Sequence, residues 1–229
     1  MRRILFSIVL FSLVFFTYVG WDATAHTPQG RDPVEVIQER GSNVVSTLMQ
    51  HSSWRTARFN AEMSSINLLR PLDAANLSAE RIPVSIKKIQ SFLDFLGQYR
   101  DSTKLLVRYL EDSVAALRAD MPHDYQETFM STIVSAYKAD AEAFDAYTLA
   151  ISSLHKQVAE VLRLIEHSKH KITNGSLEFT DQEAYGNYQT LMAALDKRNS
   201  ELKQQATKAK QTQKGLQQAL ETLFADPGK

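Results

Sequence analysis

The sequence predicts an all-α protein: four long antiparallel helices in an up-down-up-down bundle with coiled-coil-like seams. Three observations carry that reading. Phe144, Tyr147, Ile151, Leu154, Val158, Val161 and Ile165 recur at alternating steps of three and four, which is one face of an α-helix and a heptad seam. Tyr188, Leu195, Leu202, Ala209, Leu216 and Leu223 fall seven apart. Only 8 Gly and 6 Pro interrupt 229 residues, a composition that suits long helices and disfavours an all-β fold.

Residues 1–25 read as a secretory signal. Arg2-Arg3 supply a positive start, residues 4–19 an apolar run, and Ala23-Thr24-Ala25 an A-x-A cleavage site before His26. The alternative is an uncleaved anchor, because residues 4–21 approach the length that spans a bilayer at ~1.5 Å rise per residue. The expected location is therefore the periplasm, or the inner membrane if residues 4–21 remain attached. Residues 26–32 form a linker.

Asp32-Pro33-Val34-Glu35 then opens helix one, with an acid at the N-cap, Pro at the first helical position and an acid at the third. Arg70-Pro71 closes it. Ser78 caps helix two, with Leu77 and Ile82 at hydrophobic-staple spacing, and the helix runs to Asp120. Its seam is Ile82, Ile89, Leu96, Thr103, Leu110 and Leu117, and Pro83 is expected to kink or restart it. Pro122 breaks the chain, and Asp124 with Glu127 opens helix three, expected to run to Ile172. Asn174-Gly175 supplies the left-handed backbone that ends a helix. Thr180 and Glu183, at capping-box spacing, open helix four, which ends at Phe224. Residues 33–224 thus read as a single domain and 225–229 as a frayed tail. Two hairpins laid end to end as an extended coiled coil are the alternative arrangement.

Charge is balanced, 26 basic against 26 acidic, so no general affinity for nucleic acid is indicated. There is no Cys, which excludes disulfides, thiol catalysis, Cys-ligated metal and a lipobox. Asn76-Leu77-Ser78 and Asn174-Gly175-Ser176 match the glycosylation sequon but read as turn chemistry. No nucleotide loop, nucleophile elbow, zinc-protease motif or paired-carboxylate signature occurs, so a non-enzymatic role without cofactors is expected.

Several polar residues stand where apolar ones belong. At 100° per residue His51, Arg55, Arg58 and Glu62 lie within about 60° of one another, on the stripe that should face the core. Arg100 takes a seam position in helix two and Asp140 one in helix three. Counting from the loops puts Arg100 level with Phe144, one turn from Asp140. One reading is a polar cavity in which Arg55, Arg58 and Arg100 hold a carboxylate or phosphate and His51 confers pH dependence. The other pairs these arginines with Glu62 or Asp140, since burying an unpaired ion costs several kcal/mol. Glu166, His167 and His170 could begin a metal site, but a charged helix end accounts for them and no metal is expected.

Helix four has a regular first seam and a poor second one, with Arg198 or Asn199, Gln205 and Thr212 at apolar positions. Its middle carries Lys197, Lys203, Lys208, Lys210 and Lys214 against only Asp196 and Glu201. It reads either as a partner surface, centred on Lys203, Lys208, Lys210 and Lys214, or as a solvated face. The pairs Phe92/Phe95 and Tyr185/Tyr188 read as core and bundle edge.

The run Thr173-Asn174-Gly175-Ser176-Leu177-Glu178-Phe179-Thr180, followed by Tyr188, resembles the last turn of a family of uncharacterised helical envelope lipoproteins of Gram-negative bacteria. The resemblance spans residues 162–195. It implies no known activity and no functional residues. Those relatives look to be lipidated at a Cys after the signal, and this chain has none.

The sequence thus points to an exported bundle that binds an envelope partner or serves a structural role. The alternative is a sensor or carrier for a small anionic ligand held at mid-bundle.

Overall fold

The computed structural model describes residues 70–120 and 134–225, together with Glu39, Asn43, Ser46, Thr47, Gln50, Ala57, Phe59 and Thr132. The chain divides into two compact units, Met1–Glu39 and Arg40–Lys229. Of the first, Glu39 alone is described, and it is helical. The described residues of the second are mostly α-helical. They comprise three long helices, α1 (Arg81–Asp120), α2 (Ser135–His167) and α3 (Gln182–Ala225), and a two-stranded sheet of β1 (His170–Thr173) and β2 (Ser176–Phe179). No helix among the described residues is long and apolar enough to cross a membrane. The predicted signal with Ala23 and Ala25, the start of helix one at Asp32 and the cap at Asp124 lie outside the described residues.

Two short 3-10 turns, Arg70–Leu72 and Ala74–Asn76, lead into α1. The Asn76 amide donates to the Arg70 carbonyl at 2.8 Å, so this asparagine closes the turn, as its sequence context suggested. Leu77 and Ile82 are both buried, the arrangement expected of a staple. The Ile82 N–H reaches the Ser78 carbonyl at 3.0 Å, which begins the helical ladder. Pro83 has no N–H to continue it, and regular helix is established from Arg81. Pro83 therefore sits in the first turn, where its missing donor costs little, and marks a start rather than a kink within the helix.

The connection between α2 and α3 departs from expectation. Helix three was expected to run to Ile172, but α2 ends at His167. The chain then forms a β-hairpin in which His170 pairs with Phe179, Lys171 with Glu178, Ile172 with Leu177 and Thr173 with Ser176. Asn174 and Gly175 have φ of 52° and 78°, both left-handed, the geometry of a two-residue type I′ hairpin turn. The turn position was correct; the residues flanking it are strand, not helix. Both the N–H and the Oγ1 of Thr180 donate to the Lys169 carbonyl, at 3.1 and 3.0 Å, which closes the hairpin base. Thr180 is thereby committed, and Asp181 caps α3 instead, its Oδ1 accepting from the Glu183 N–H at 3.1 Å.

α2 is the central helix and packs against both α1 and α3. Its buried residues therefore cover a wide arc: Ile151, Leu154, Val158, Ala159, Val161, Leu162 and Ile165 all join one core. α1 contributes Ile82, Ile89, Phe92, Leu96 and Tyr99; α3 contributes Leu195 and Leu202. Each buried Val, Leu, Ile or Phe among them stabilises the fold by roughly 1.5–3 kcal/mol. Phe92 stacks on Phe95 at 6.2 Å, which places that pair in the core as expected. Lys138–Glu111, Arg100–Asp145 and Phe92–His155 show α1 and α2 running antiparallel, because residue numbers rise on one helix as they fall on the other.

Candidate functional site: polar residues in the helix seams

Arg100 projects from α1 toward α2 three residues past the glycine at 97, on the edge of the buried stripe. Its Nε and Nη2 donate to Oδ1 and Oδ2 of Asp145 at 2.6 and 3.0 Å, a two-pronged ion pair. Hydrogen bonding to Asp145 raises the guanidinium pKa above its ordinary value against the opposing effect of burial, and the charges of Asp145 and Asp101 add to it. Thr148, fully buried, donates its Oγ1 to the Asp145 carbonyl at 2.8 Å, so the residue that holds Arg100 is itself held by its own helix. Sequence counting placed Arg100 level with Phe144, one turn from Asp140, and offered Glu62 or Asp140 as ion-pair partners for the arginines. The level is right to one residue, and the partner is Asp145.

Asp140 lies on α2 and is buried, a seam position as expected. It does not join Arg100. His51, Arg55, Arg58 and Glu62 lie outside the described residues. From the same stretch Phe59 is helical and only 2 % exposed. Its ring sits edge-on to Phe144 at 5.1 Å and to Tyr147 at 5.5 Å, and tilted against Tyr99 at 6.0 Å. An aromatic cluster from three segments thus occupies the core directly beside the Arg100–Asp145 pair. Burial in this cluster raises the Tyr147 pKa.

His155 is a polar core residue that sequence periodicity passed over. It is 2 % exposed and packs against Phe92, ring centroids 4.6 Å apart. Its Nδ1 lies 2.9 Å from the Ile151 carbonyl, one turn back. That contact makes Nδ1 the protonated nitrogen, and Nε2, which is buried, has no hydrogen-bond partner. Burial lowers the imidazole pKa below its ordinary 6.5, with the Ile151 bond opposing the change. The core therefore holds a neutral histidine. The signal available in the sequence was its position beside Leu154 on a helix buried on two sides.

Glu166 and His167 close α2, while His170 opens β1 with its Nδ1 against the Ser168 carbonyl at 2.9 Å and its ring 6.5 Å from Phe179. The hairpin thus removes His170 from the helical register that placed it one turn from His167. No group of three potential metal ligands occurs among the described residues. Tyr188 is half-buried against Phe179 at 5.2 Å, which raises its pKa, and Tyr185 is exposed.

On α3, Lys203, Lys208, Lys210 and Lys214 are all exposed. None of the four has an ion pair among the described residues; the nearby Glu201 is held by Arg198 at 2.9 Å. Asn199, Gln205 and Thr212 are half-buried, which matches the weak second seam read from sequence. The structure thus keeps the two sets of basic residues apart in kind: Arg100 is neutralised in the seam, and the lysines face outward. No known protein family, curated protein or solved structure matches this chain.

Proposed function

We propose that the chain is a non-enzymatic exported protein of the cell envelope, a four-helix bundle that binds a macromolecular partner on its outer surface. Phe59 supports the fourth helix, because a helical residue from the first third of the chain is buried among Tyr99, Phe144 and Tyr147. Export is supported by Arg2-Arg3, the apolar run at 4–19 and Ala23-Thr24-Ala25.

The pairing of Arg100 with Asp145 is the observation that favours an outer binding surface over an internal ligand site. A small-anion pocket needs cations with free donors, and both prongs of this guanidinium face a carboxylate. The lysines of the α3 middle face outward and have no ion pair among the described residues.

Intact mass of the protein recovered from an envelope fraction tests export and cleavage together, with a chain beginning at His26 expected. Crosslinking in envelope extracts, compared with purified protein, is expected to give a discrete new species. Recovery of the uncleaved chain from the cytosol, with no crosslinked species under any condition, would falsify the proposal. A melting-curve shift of several degrees with one small carboxylic or phosphoric acid would favour an internal anion site instead.

A further inference from the structure

The segment of α3 between Leu202 and Leu220 contains four lysines and no acidic residue. At 100° per residue Lys203, Lys210 and Lys214 fall within about 40° of one another, with Thr207 between them, along a ridge of about 16 Å. Lys208 lies more than about 100° round the helix from the ridge and is not part of it. All are exposed. Lys210 and Lys214 stand one turn apart, a like-charge spacing that weakens a helix in isolation. Neither lysine has an ion pair among the described residues, so an external anion would relieve the repulsion.

The character of the face narrows the partner. Its exposed residues are Lys203, Thr207, Lys210, Lys214, Gln217 and Gln218, with no large apolar or aromatic side chain among them. A bilayer-binding helix needs an apolar face to bury, and a protein hot spot needs aromatic or aliphatic anchors. Single-stranded nucleic acid needs aromatic platforms for its bases. A hydrated chain of sugars with acidic groups needs none of these. Its hydroxyls match the amide and hydroxyl groups of Gln and Thr, and its charges match lysine ammonium groups.

We infer that the Lys203–Lys210–Lys214 ridge of α3 docks a linear anionic polysaccharide. The inference rests on the proposed outer-surface role and gives it a location and a partner class. Binding of the purified full chain to polygalacturonate, followed by thermophoresis at low and high salt, tests it. The expected result is binding that weakens as salt rises and becomes roughly tenfold weaker in K210E/K214E. Lys87→Glu with Lys88→Glu, an exposed pair on α1, should leave it unchanged. If the reversed-charge variant loses helicity by circular dichroism, Lys203→Gln, Lys210→Gln and Lys214→Gln together serve instead, with the same expected loss.

No binding at low salt, or equal weakening by the α1 pair, overturns the inference. So does tighter binding through these lysines to phosphatidylglycerol–phosphatidylcholine vesicles or to oligo-dT. A crosslinked envelope protein found in the absence of polygalacturonate binding also overturns it, while leaving the proposed function standing.

Discussion

The guanidinium of Arg100 and the carboxylate of Asp145 meet edge to edge, joining the middle of α1 to the middle of α2 through hydrogen bonds of 2.6 and 3.0 Å. Their side chains are 23 % and 35 % exposed, so water screens the pair without dissolving it. Two-pronged geometry places it above an ordinary surface ion pair. Asp145→Asn should lower stability by about 1–2 kcal/mol in urea unfolding, and Arg100→Met by a similar amount. The double variant should lose less than the sum, with a coupling of about 1 kcal/mol. A coupling near zero would mean that the contact contributes nothing beyond its geometry.

How much of this was legible in the sequence differs from element to element. The seams of α1 and α2 were, because the core periodicity is the same signal that burial follows. Ile82, Ile89 and Leu96, then Ile151, Leu154, Val158, Val161 and Ile165, are buried as counted. The antiparallel register was legible to within one residue, since short connections fix which residues are level. The partner of Arg100 was not, because Asp140 and Asp145 are both one turn or less from that level and only side-chain direction separates them. The β-hairpin was missed for a different reason. Asn-Gly ends helices and also makes type I′ turns, and the alternative turns on four residues to each side. His170-Lys171-Ile172-Thr173 and Ser176-Leu177-Glu178-Phe179 are too short for periodicity to decide. His155 went unnoticed because a seam count assumes one buried face, and α2 has two.

His155 gives stability a pH dependence whose sign follows from its burial. In the folded chain its pKa lies below 6.5, and in the unfolded chain it returns to 6.5. The unfolded state therefore binds more protons in this interval, and stability rises with pH. The contribution is fully present above 6.5 and is lost as pH falls through that value toward the lower folded pKa. One group contributes a slope of at most ~1.4 kcal/mol per pH unit. Urea unfolding at a series of pH values from 8 to 5 should show the decline, and His155→Leu should flatten it. Because Nε2 has no partner, the leucine variant should be no less stable than wild type at pH 8. An unchanged pH profile in that variant would assign the acid sensitivity to other groups.

Gly175 is held at φ 78°, and a Cβ there would meet nothing within 4 Å. Substitution therefore tests backbone strain alone. Gly175→Ala should cost about 1 kcal/mol, seen as a melting temperature lower by about 2–4 °C. Gly97 lies inside α1, also with open space around it. There the same change to Ala should raise stability by about 0.5–1 kcal/mol, because alanine loses less backbone entropy in a helix. Opposite signs at two equally uncrowded glycines are the expected result; a loss at both would point to packing that the geometry does not contain.

Phe59 brings an aromatic ring from the N-terminal side of α1 into the core. Phe59 is buried and Ala57, on the opposite side, is exposed, so the packed face at this level is the one that carries the aromatic ring. Its ring contacts residues of both α1 and α2, which a single truncation removes together. Phe59→Ala should therefore cost about 3–5 kcal/mol in urea unfolding, at the level of a large aromatic lost from a core. Phe59→Leu, which keeps most of the apolar volume, should cost less than about 1.5 kcal/mol. Near-ultraviolet circular dichroism reports the Tyr99 and Tyr147 environments and should change with the alanine variant more than with the leucine variant. A cost below ~1 kcal/mol for Phe59→Ala would show that the ring is replaceable and that the first helical stretch is held by other contacts.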